Sequence, residues 1–298
     1  MYEKLTGLIA APFTAFNSDK SVNLDIIPQF AEVLIKQNVS GAYILGTTGE
    51  GVSCSIAERK AIMSAWSKAA AGKLKLIAHV GALALPEVKE LARHAVKENY
   101  FATSVVPPTY FRPGTPKVMA RYLAEVAAYA PELPFYYYHT MLSRLDMSAA
   151  AILEAVEAMG GIPNLAGVKF NHHDLFDYQC ARGVAGGKYD IVFGVDEFFA
   201  GALELGAEGF IGSTYNYSAH LYHAVWQAWK NNDKEIVRKN MEKICLGVKL
   251  MLKYGGLPCG KALMFLQGLD LGGVRLPLVD LTTADKKELM QLASCLNE

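Results

Sequence analysis

The sequence predicts an α/β protein built as a TIM-type (β/α)8 barrel with a C-terminal helical extension. Three observations carry this. Short, β-rich apolar runs alternate with helical patterns through the first ~215 residues, as strands joined by helical crossovers do. Ala11-Pro12-Phe13 follows the first run, where a doubly wound open sheet would normally place a Gly-rich phosphate loop. From residue 218 onward the runs cease and only helical patterns remain.

The strand candidates, in order, are residues 7–11, 42–45, 76–80, 103–106, 135–138, 166–170, 191–195 and 209–212. Their near-continuous apolar character fits parallel strands covered on both faces, connected by right-handed crossovers. The intervening helices have recognisable starts. Ser55-Ile56-Ala57-Glu58 has the Ser-x-x-Glu form of a capping box. Pro86 lies where a missing N–H costs nothing, and Thr115-Pro116 and Ser148 suit two further entries. Beyond the barrel, residues 221–229, 233–254, 261–269 and 283–296 read as helices, interrupted by Gly255-Gly256-Leu257-Pro258 and Gly272-Gly273. Two regions follow: 1–217, the barrel with the active site, and 218–298, a helical extension for packing or assembly.

The totals exclude several classes. The 29 basic and 29 acidic side chains cancel, so neither a nucleic-acid-binding stripe nor an acidic tail is expected. An apolar fraction of 52% against 19% charged suits a densely packed globular protein. The five cysteines (Cys54, Cys180, Cys245, Cys259 and Cys295) form no Cys-x-x-Cys pair and read as thiols in a reducing compartment. Met1-Tyr2-Glu3-Lys4-Leu5 lacks the charged and apolar regions of a signal peptide, and no apolar run is long enough to span a membrane. A cytoplasmic protein without membrane partners is expected.

In a TIM barrel, chemistry sits at the carboxyl ends of the strands. That rule selects Lys169, in Leu165-Ala166-Gly167-Val168-Lys169-Phe170. Lysine is rarely buried without a partner, and desolvation lowers its pKa and frees the amine as a nucleophile. The plain alternative is a strand-end lysine snorkelling into solvent. After the second strand, Gly46-Thr47-Thr48-Gly49-Glu50 can present backbone N–H groups and two hydroxyls to an anion. It lacks the Gly-Lys-Ser/Thr of a phosphate loop, which favours a small carboxylate; an ordinary turn is the competing reading.

The fifth strand ends in Tyr136-Tyr137-Tyr138, with Tyr136 and Tyr138 on one face and Tyr137 on the other. A tyrosine beside an imine-forming lysine can relay protons. Tyr136 and Tyr137 are expected to pack against helices instead. Gly194-Val195-Asp196-Glu197 offers two carboxylates to polyol hydroxyls, or a helix cap, and Gly212-Ser213-Thr214 adds hydroxyls. His172 and His173 are adjacent on an extended segment and point apart, so no metal is expected there. His220 and His223 lie i, i+3 on a helix without a Glu-x-x-His pattern and read as surface or interface residues.

These motifs in this order resemble the dihydrodipicolinate synthase / N-acetylneuraminate lyase superfamily of class I, Schiff-base aldolases. The likeness spans essentially the whole chain and is greatest to the sialic-acid-cleaving members. Pro134-Phe135-Tyr136-Tyr137-Tyr138-His139, Phe193-Gly194-Val195-Asp196-Glu197 and Gly212-Ser213-Thr214-Tyr215-Asn216-Tyr217 carry it. By this resemblance Lys169 forms an imine with the keto carbon of a small 2-keto acid substrate. Tyr138 shuttles protons together with the substrate carboxylate, which Thr47 and Thr48 hold. Gly194, Asp196, Glu197 and Ser213 contact the polyhydroxylated tail. Tyr110 matches an aromatic that reaches a neighbouring subunit's site, implying a homotetramer. No metal or organic cofactor is implied.

The chain also departs from the pattern. Dihydrodipicolinate synthases carry an arginine five residues after the tyrosine, where this chain has Ser143, with Arg144 one place further on. That favours a monocarboxylate substrate. The segment from His139 to Leu145 lacks the proline and glycine usual in the lyases, and Asn171 stands where a Thr or Ser usually meets the sugar. The imine chemistry survives these changes, and the aldehyde partner is left open. Another 2-keto acid aldolase on the same imine platform is the nearest alternative; a non-catalytic keto acid sensor would not require the proton relay.

Overall fold

The computed structural model describes residues 2–296, the Cys295 side chain excepted. What the sequence suggests for Met1 and for the Cys295 thiol lies outside the described residues. Among the described residues the chain forms eight strands: β1 (Gly7–Ala10), β2 (Gly41–Ile44), β3 (Lys75–His79), β4 (Ala102–Val105), β5 (Phe135–Thr140), β6 (Leu165–Asn171), β7 (Asp190–Phe193) and β8 (Gly209–Gly212). Each pairs in parallel with the next. β8 returns to β1, with Gly7 opposite Gly209, and closes the barrel. The expected fold is the observed one, and the strand ends move by only a residue or two.

Helices α1 (Ile27–Lys36), α2 (Ile56–Ala70), α3 (Leu85–Lys97), α4 (Pro116–Ala127), α5 (Ala149–Ala158), α6 (Leu175–Gly183), α7 (Phe199–Glu204) and α8 (Tyr215–Lys230) follow the strands in turn. Their starts are those the sequence marks. Ser55 and Glu58 form a reciprocal capping box, with the Ser55 N–H donating to Glu58 Oε2 at 2.8 Å and the Glu58 N–H donating to Ser55 Oγ at 3.2 Å. Thr115 and Ser148 cap α4 and α5 by accepting from Val118 and Ala151.

Two apolar layers result. Ile9, Tyr43, Ile77, Tyr136, Tyr138, Val192 and Ile211 fill the barrel interior. Leu8, Phe30, Trp66, Tyr137, Phe170 and Phe210 pack between strands and helices. Burial on both faces explains why the strands read as unbroken apolar runs. Tyr136 corrects an expectation: it packs inside the barrel, not against the helices, and its hydroxyl donates to Asp190 Oδ2 at 2.9 Å. The inward-facing parity it shares with Tyr138 dictates this.

The extension comprises α9 (Lys234–Lys253), α10 (Leu257–Leu263) and α11 (Thr283–Leu292). α8 straddles the division expected between residues 217 and 218, and a kink at Ser218 (φ −134°, ψ 27°) marks the place. As the helix after β8, α8 completes the eighth strand–helix unit. α10 begins at Leu257, ahead of the expected 261, because Pro258 falls in its first turn where its missing N–H is harmless. Among the described residues no helix is long and apolar enough to cross a membrane.

A buried ion pair ties this extension to the barrel mouth. Lys261 Nζ lies 2.6 Å from Glu50 Oε1, with both side chains 1% exposed. The ammonium also donates to the Gly273 carbonyl at 2.7 Å, and Glu50 Oε2 accepts from the Arg275 N–H at 3.2 Å. The Arg275 guanidinium reaches Glu58 and the Ser53 and Lys20 carbonyls. Stripping one partner from such a pair leaves an uncompensated buried charge, at a cost of about 3–5 kcal/mol. Glu50→Gln and Lys261→Met are each expected to lose stability of that order in urea unfolding. The double variant is expected to lose less than the two losses added together; simple additivity would show that the charges do not interact.

Candidate active site

β6 carries Lys169 into the barrel, opposite Tyr138 of β5 in the ladder. The lysine is 5% exposed and Tyr138 is 4% exposed. Lys169 Nζ sits 4.0 Å from the centroids of both the Tyr138 and the Tyr43 rings. The two rings meet edge to face at 5.8 Å. Burial pulls the lysine pKa below its ordinary value; Tyr138 and, more weakly, Asp196 act against that pull. Among the described residues no carboxylate lies within ion-pair distance of this amine. The solvent-snorkelling alternative is thereby excluded. The arrangement provides a desolvated amine, neutral at lower pH than an exposed lysine, beside a phenol that can both donate and accept.

Hydrogen bonds brace the Thr47–Thr48 turn. The Glu50 N–H donates to the Thr47 carbonyl at 3.1 Å and the Thr14 hydroxyl to the Gly49 carbonyl at 2.5 Å. Leu45 and Glu50 hold left-handed conformations, φ 62° and 49°. Thr47 is exposed and Thr48 half-buried. Among the described residues neither hydroxyl has a protein partner. This separates the turn from one whose hydroxyls bond their own backbone. Ser213, half-buried after β8, likewise keeps its hydroxyl open.

Asn171 and Asp196 are placed differently. The Asn171 amide donates to the Gly194 carbonyl and accepts from the Thr140 hydroxyl at 3.2 Å. Both polar ends thus brace β5 and β7 against β6. Asp196, 7% exposed, starts a 3-10 turn after β7. Its Oδ2 accepts from the Thr214 N–H at 3.1 Å and hydroxyl at 2.7 Å. A Cβ on Gly212 would fall 2.0 Å from Asp196 Oδ1, so only glycine fits beside it. Glu197 is half-buried and faces His173 at 3.6 Å.

The loop after Tyr138 solves the missing proline and glycine locally. Met141–Ser143 form a 3-10 turn capped by the Thr140 side chain, and Arg144 takes the left-handed conformation, φ 50°, that a glycine would otherwise supply. The Ser143 hydroxyl is buried and donates to the Thr140 carbonyl at 2.7 Å, while Arg144 is exposed. Behind this loop the Tyr137 hydroxyl donates to His139 Nδ1 at 3.1 Å, and His139 Nε2 faces Asp177 at 3.7 Å. Burial pushes His139 down to about 4, so it is neutral. Asp177 accepts from the Ala149 and Ala150 N–H groups and anchors α5.

Two residues escaped the sequence reading. His79, at the end of β3, accepts from the Val106 N–H at Nε2 (3.2 Å) and donates from Nδ1 to the Leu45 carbonyl (3.1 Å). Burial pushes it down to about 3, with Arg59 and Lys169 reinforcing the shift. Tyr43 donates its hydroxyl to Ser104 Oγ at 2.8 Å. The rule that chooses Lys169 also points to His79 as a terminal residue of β3. Tyr43 lies mid-strand, and no local signal distinguishes it. Tyr110 is 80% exposed on this single chain and meets Phe111 edge to face at 4.9 Å.

Asp196 sets a pH dependence. Burial raises its carboxyl from 3.8 to about 6, opposed by the Thr214 bonds. Between those values the folded chain binds more protons than the unfolded, so this contribution to stability is present at low pH and lost as pH rises through about 6. Asp196→Asn should abolish that loss. Urea unfolding of the two proteins at about pH 4 and about pH 7 tests it; an equal fall in both would assign the loss elsewhere.

The sequence matches the dihydrodipicolinate synthetase family from residue 4 to residue 296. A protein named N-acetylneuraminate lyase from Xenopus tropicalis is 38% identical over 289 residues, covering 95% of this chain and 93% of that protein. The structure of Proteus mirabilis N-acetylneuraminate lyase superposes with a TM-score of 0.96 at 43% identity, over 99% of both chains. That of the N-acetylneuraminate lyase (sialic acid aldolase) from Aliivibrio salmonicida gives 0.96 at 40%, over 99% of this chain and 98% of that one. A match of this extent, on a closed barrel with one desolvated lysine among tyrosine rings, places the chain in the dihydrodipicolinate synthetase family.

Proposed function

We propose that this protein is a Schiff-base aldolase that reversibly cleaves N-acetylneuraminate to pyruvate and N-acetylmannosamine. The observation that carries the proposal is the Lys169 amine, buried without a counter-ion and seated against the Tyr138 ring. The names of the relatives support the choice of substrate.

In the forward direction the neutral Lys169 amine attacks C2 of the 2-keto acid. The carbonyl oxygen leaves as water after taking up protons, and one positive charge remains on the iminium nitrogen. The C4 hydroxyl then gives its proton to the relay of Tyr138 and the substrate carboxylate. The O–H electron pair forms the aldehyde C=O, the C3–C4 bond breaks, and its electrons flow to the nitrogen as an enamine. Protonation at C3 and addition of water release pyruvate and restore the amine. Covalent catalysis thereby replaces a free carbanion with a neutral enamine.

The other groups divide the binding. The open hydroxyls of Thr47 and Thr48 hold the carboxylate, and Ser213, Asp196, Glu197 and the Gly194 backbone meet the polyol. Asn171 acts through the Gly194 carbonyl and Thr140 that it braces. With Ser143 turned inward and Arg144 exposed, this loop offers no arginine suited to a second carboxylate, which favours a sugar acid over aspartate semialdehyde condensation. We further assign the chain to a cytoplasmic homotetramer in which exposed Tyr110 completes a neighbour's site. Light scattering that returned a monomer mass would reject that assembly.

Borohydride reduction in the presence of pyruvate is expected to add mass at Lys169. Turnover with an unmodified Lys169 would defeat the mechanism. Lys169→Ala should abolish pyruvate release. In a panel of N-acetylneuraminate, 2-keto-3-deoxy sugar acids and aspartate semialdehyde with pyruvate, the first should give the highest kcat/KM.

A further inference from the structure

The amine that forms the imine faces two aromatic rings, and only one of them has a proton-transfer task. Tyr43 enters from β2, across the barrel from β6, and its ring centroid is as close to Lys169 Nζ as that of Tyr138, 4.0 Å. Its hydroxyl is committed to Ser104 Oγ at 2.8 Å, and burial holds its pKa well above the ordinary tyrosine value. Tyr43 is therefore no proton relay. What it offers the nitrogen is its negative π face. Gly46 makes room for it, since a Cβ there would fall 2.6 Å from a Tyr43 ring carbon.

The chemistry makes that face matter. Only a protonated imine draws electrons from the breaking C3–C4 bond; the neutral imine is a poor sink. Burial favours the neutral form, as it favours the neutral amine. The ionisable groups around the nitrogen are few: Tyr43 from β2, His79 from β3, Tyr138 from β5 and Asp196 after β7, with Arg59 beyond His79. Asp196 is engaged by Thr214 and lies outside ion-pair distance. His79 is neutral, stacked edge to face on Tyr138 at 6.3 Å and tilted against Tyr43 at 6.2 Å. Arg59 spends its guanidinium on the His79 and Gly81 carbonyls. Among the described residues nothing anionic stands where the iminium charge develops.

We propose that the Tyr43 ring face, set beside that of Tyr138 around the nitrogen, keeps the Lys169 imine protonated in the closed barrel, making Tyr43 a catalytic residue that works by cation–π attraction. This rests on the reading of Lys169 as the imine-forming residue. A desolvated contact of this kind corresponds to about a 10- to 30-fold change in an equilibrium constant, or about one to one and a half pH units in the imine's titration.

The test varies the π face while keeping the shape. Tyr43→Phe retains the face and loses only the Ser104 bond. Replacing residue 43 by mono-, di- and trifluorinated phenylalanines then drains the face stepwise. Pyruvate is bound, the iminium is trapped with cyanoborohydride, and modified Lys169 is counted by mass spectrometry across a pH series. Tyr43→Phe should keep the wild-type alkaline limb. The fluorinated proteins should lose trapping at progressively lower pH, by about one unit or more at three fluorines. Tyr43→Leu should shift at least as far, with its fold checked by circular dichroism. An alkaline limb that stays fixed along the fluorine series, with Lys169 still trapped, would overturn the role of Tyr43 alone. Absence of trapping at Lys169 in the unaltered protein would instead bring down the imine mechanism on which it rests.

Discussion

A positively chargeable nitrogen held in an apolar barrel without an anion beside it is the constraint around which this structure is arranged. β6 is covered on both faces, so a lysine near its carboxyl end cannot reach solvent as a strand-end lysine ordinarily does. The cost of desolvation falls on the charged form, and the amine becomes nucleophilic. An acid placed beside it would have restored the ammonium and quenched the nucleophile. Aromatic faces are a gentler compensation, since they attract the cation without a full opposing charge. His79, kept neutral by burial and by bonds to Leu45 and Val106, adds an edge without adding charge.

Around this centre the polar groups separate into two kinds. Thr47, Thr48 and Ser213 keep hydroxyls at the mouth that have no partner among the described residues, and can meet a ligand at no cost in broken protein bonds. Asn171, Thr140 and Ser143 direct hydrogen bonds into the wall itself, as does the Oδ2 of Asp196. The first group is open to a ligand and the second holds the loops in place. The extension belongs with the second kind at longer range. Through Lys261 and Arg275 it grips Glu50, two residues beyond Thr48, so the Thr47–Thr48 turn is anchored by residues more than 200 positions away.

Much of this was legible in the chain. The strand segments, the Ser55–Glu58 capping box and the Thr115 and Ser148 caps are set by neighbours within a few residues, so local pattern suffices. The general placement of barrel chemistry at strand carboxyl ends then picks out Lys169, the Thr47–Thr48 turn and the Asp196 turn. For Tyr136 the inward parity it shares with Tyr138 is local, while the partner of its hydroxyl, Asp190, lies 54 residues away and is not. Tyr43 is not legible in the chain for a related reason: its significance is a contact across the barrel from β2 to β6, and an apolar strand with one tyrosine reads the same with or without it. Asn171 shows the limit for side-chain role. An amide at that position suits a sugar contact, and one N–H and one lone pair of it also tie β6 to the Gly194 carbonyl and the Thr140 hydroxyl.

The sequence by itself determined the periodicities, the punctuation and the identities of the groups able to react, because these depend on residue type and on neighbours a few positions away. Closure of eight strands into a ring decided which of those groups meet. It brought Tyr43 and Tyr138 against one nitrogen, turned Asn171 inward and set Lys261 on Glu50. Distance along the chain carries no information about such meetings. They follow from the curvature of the barrel and from the exclusion of water inside it.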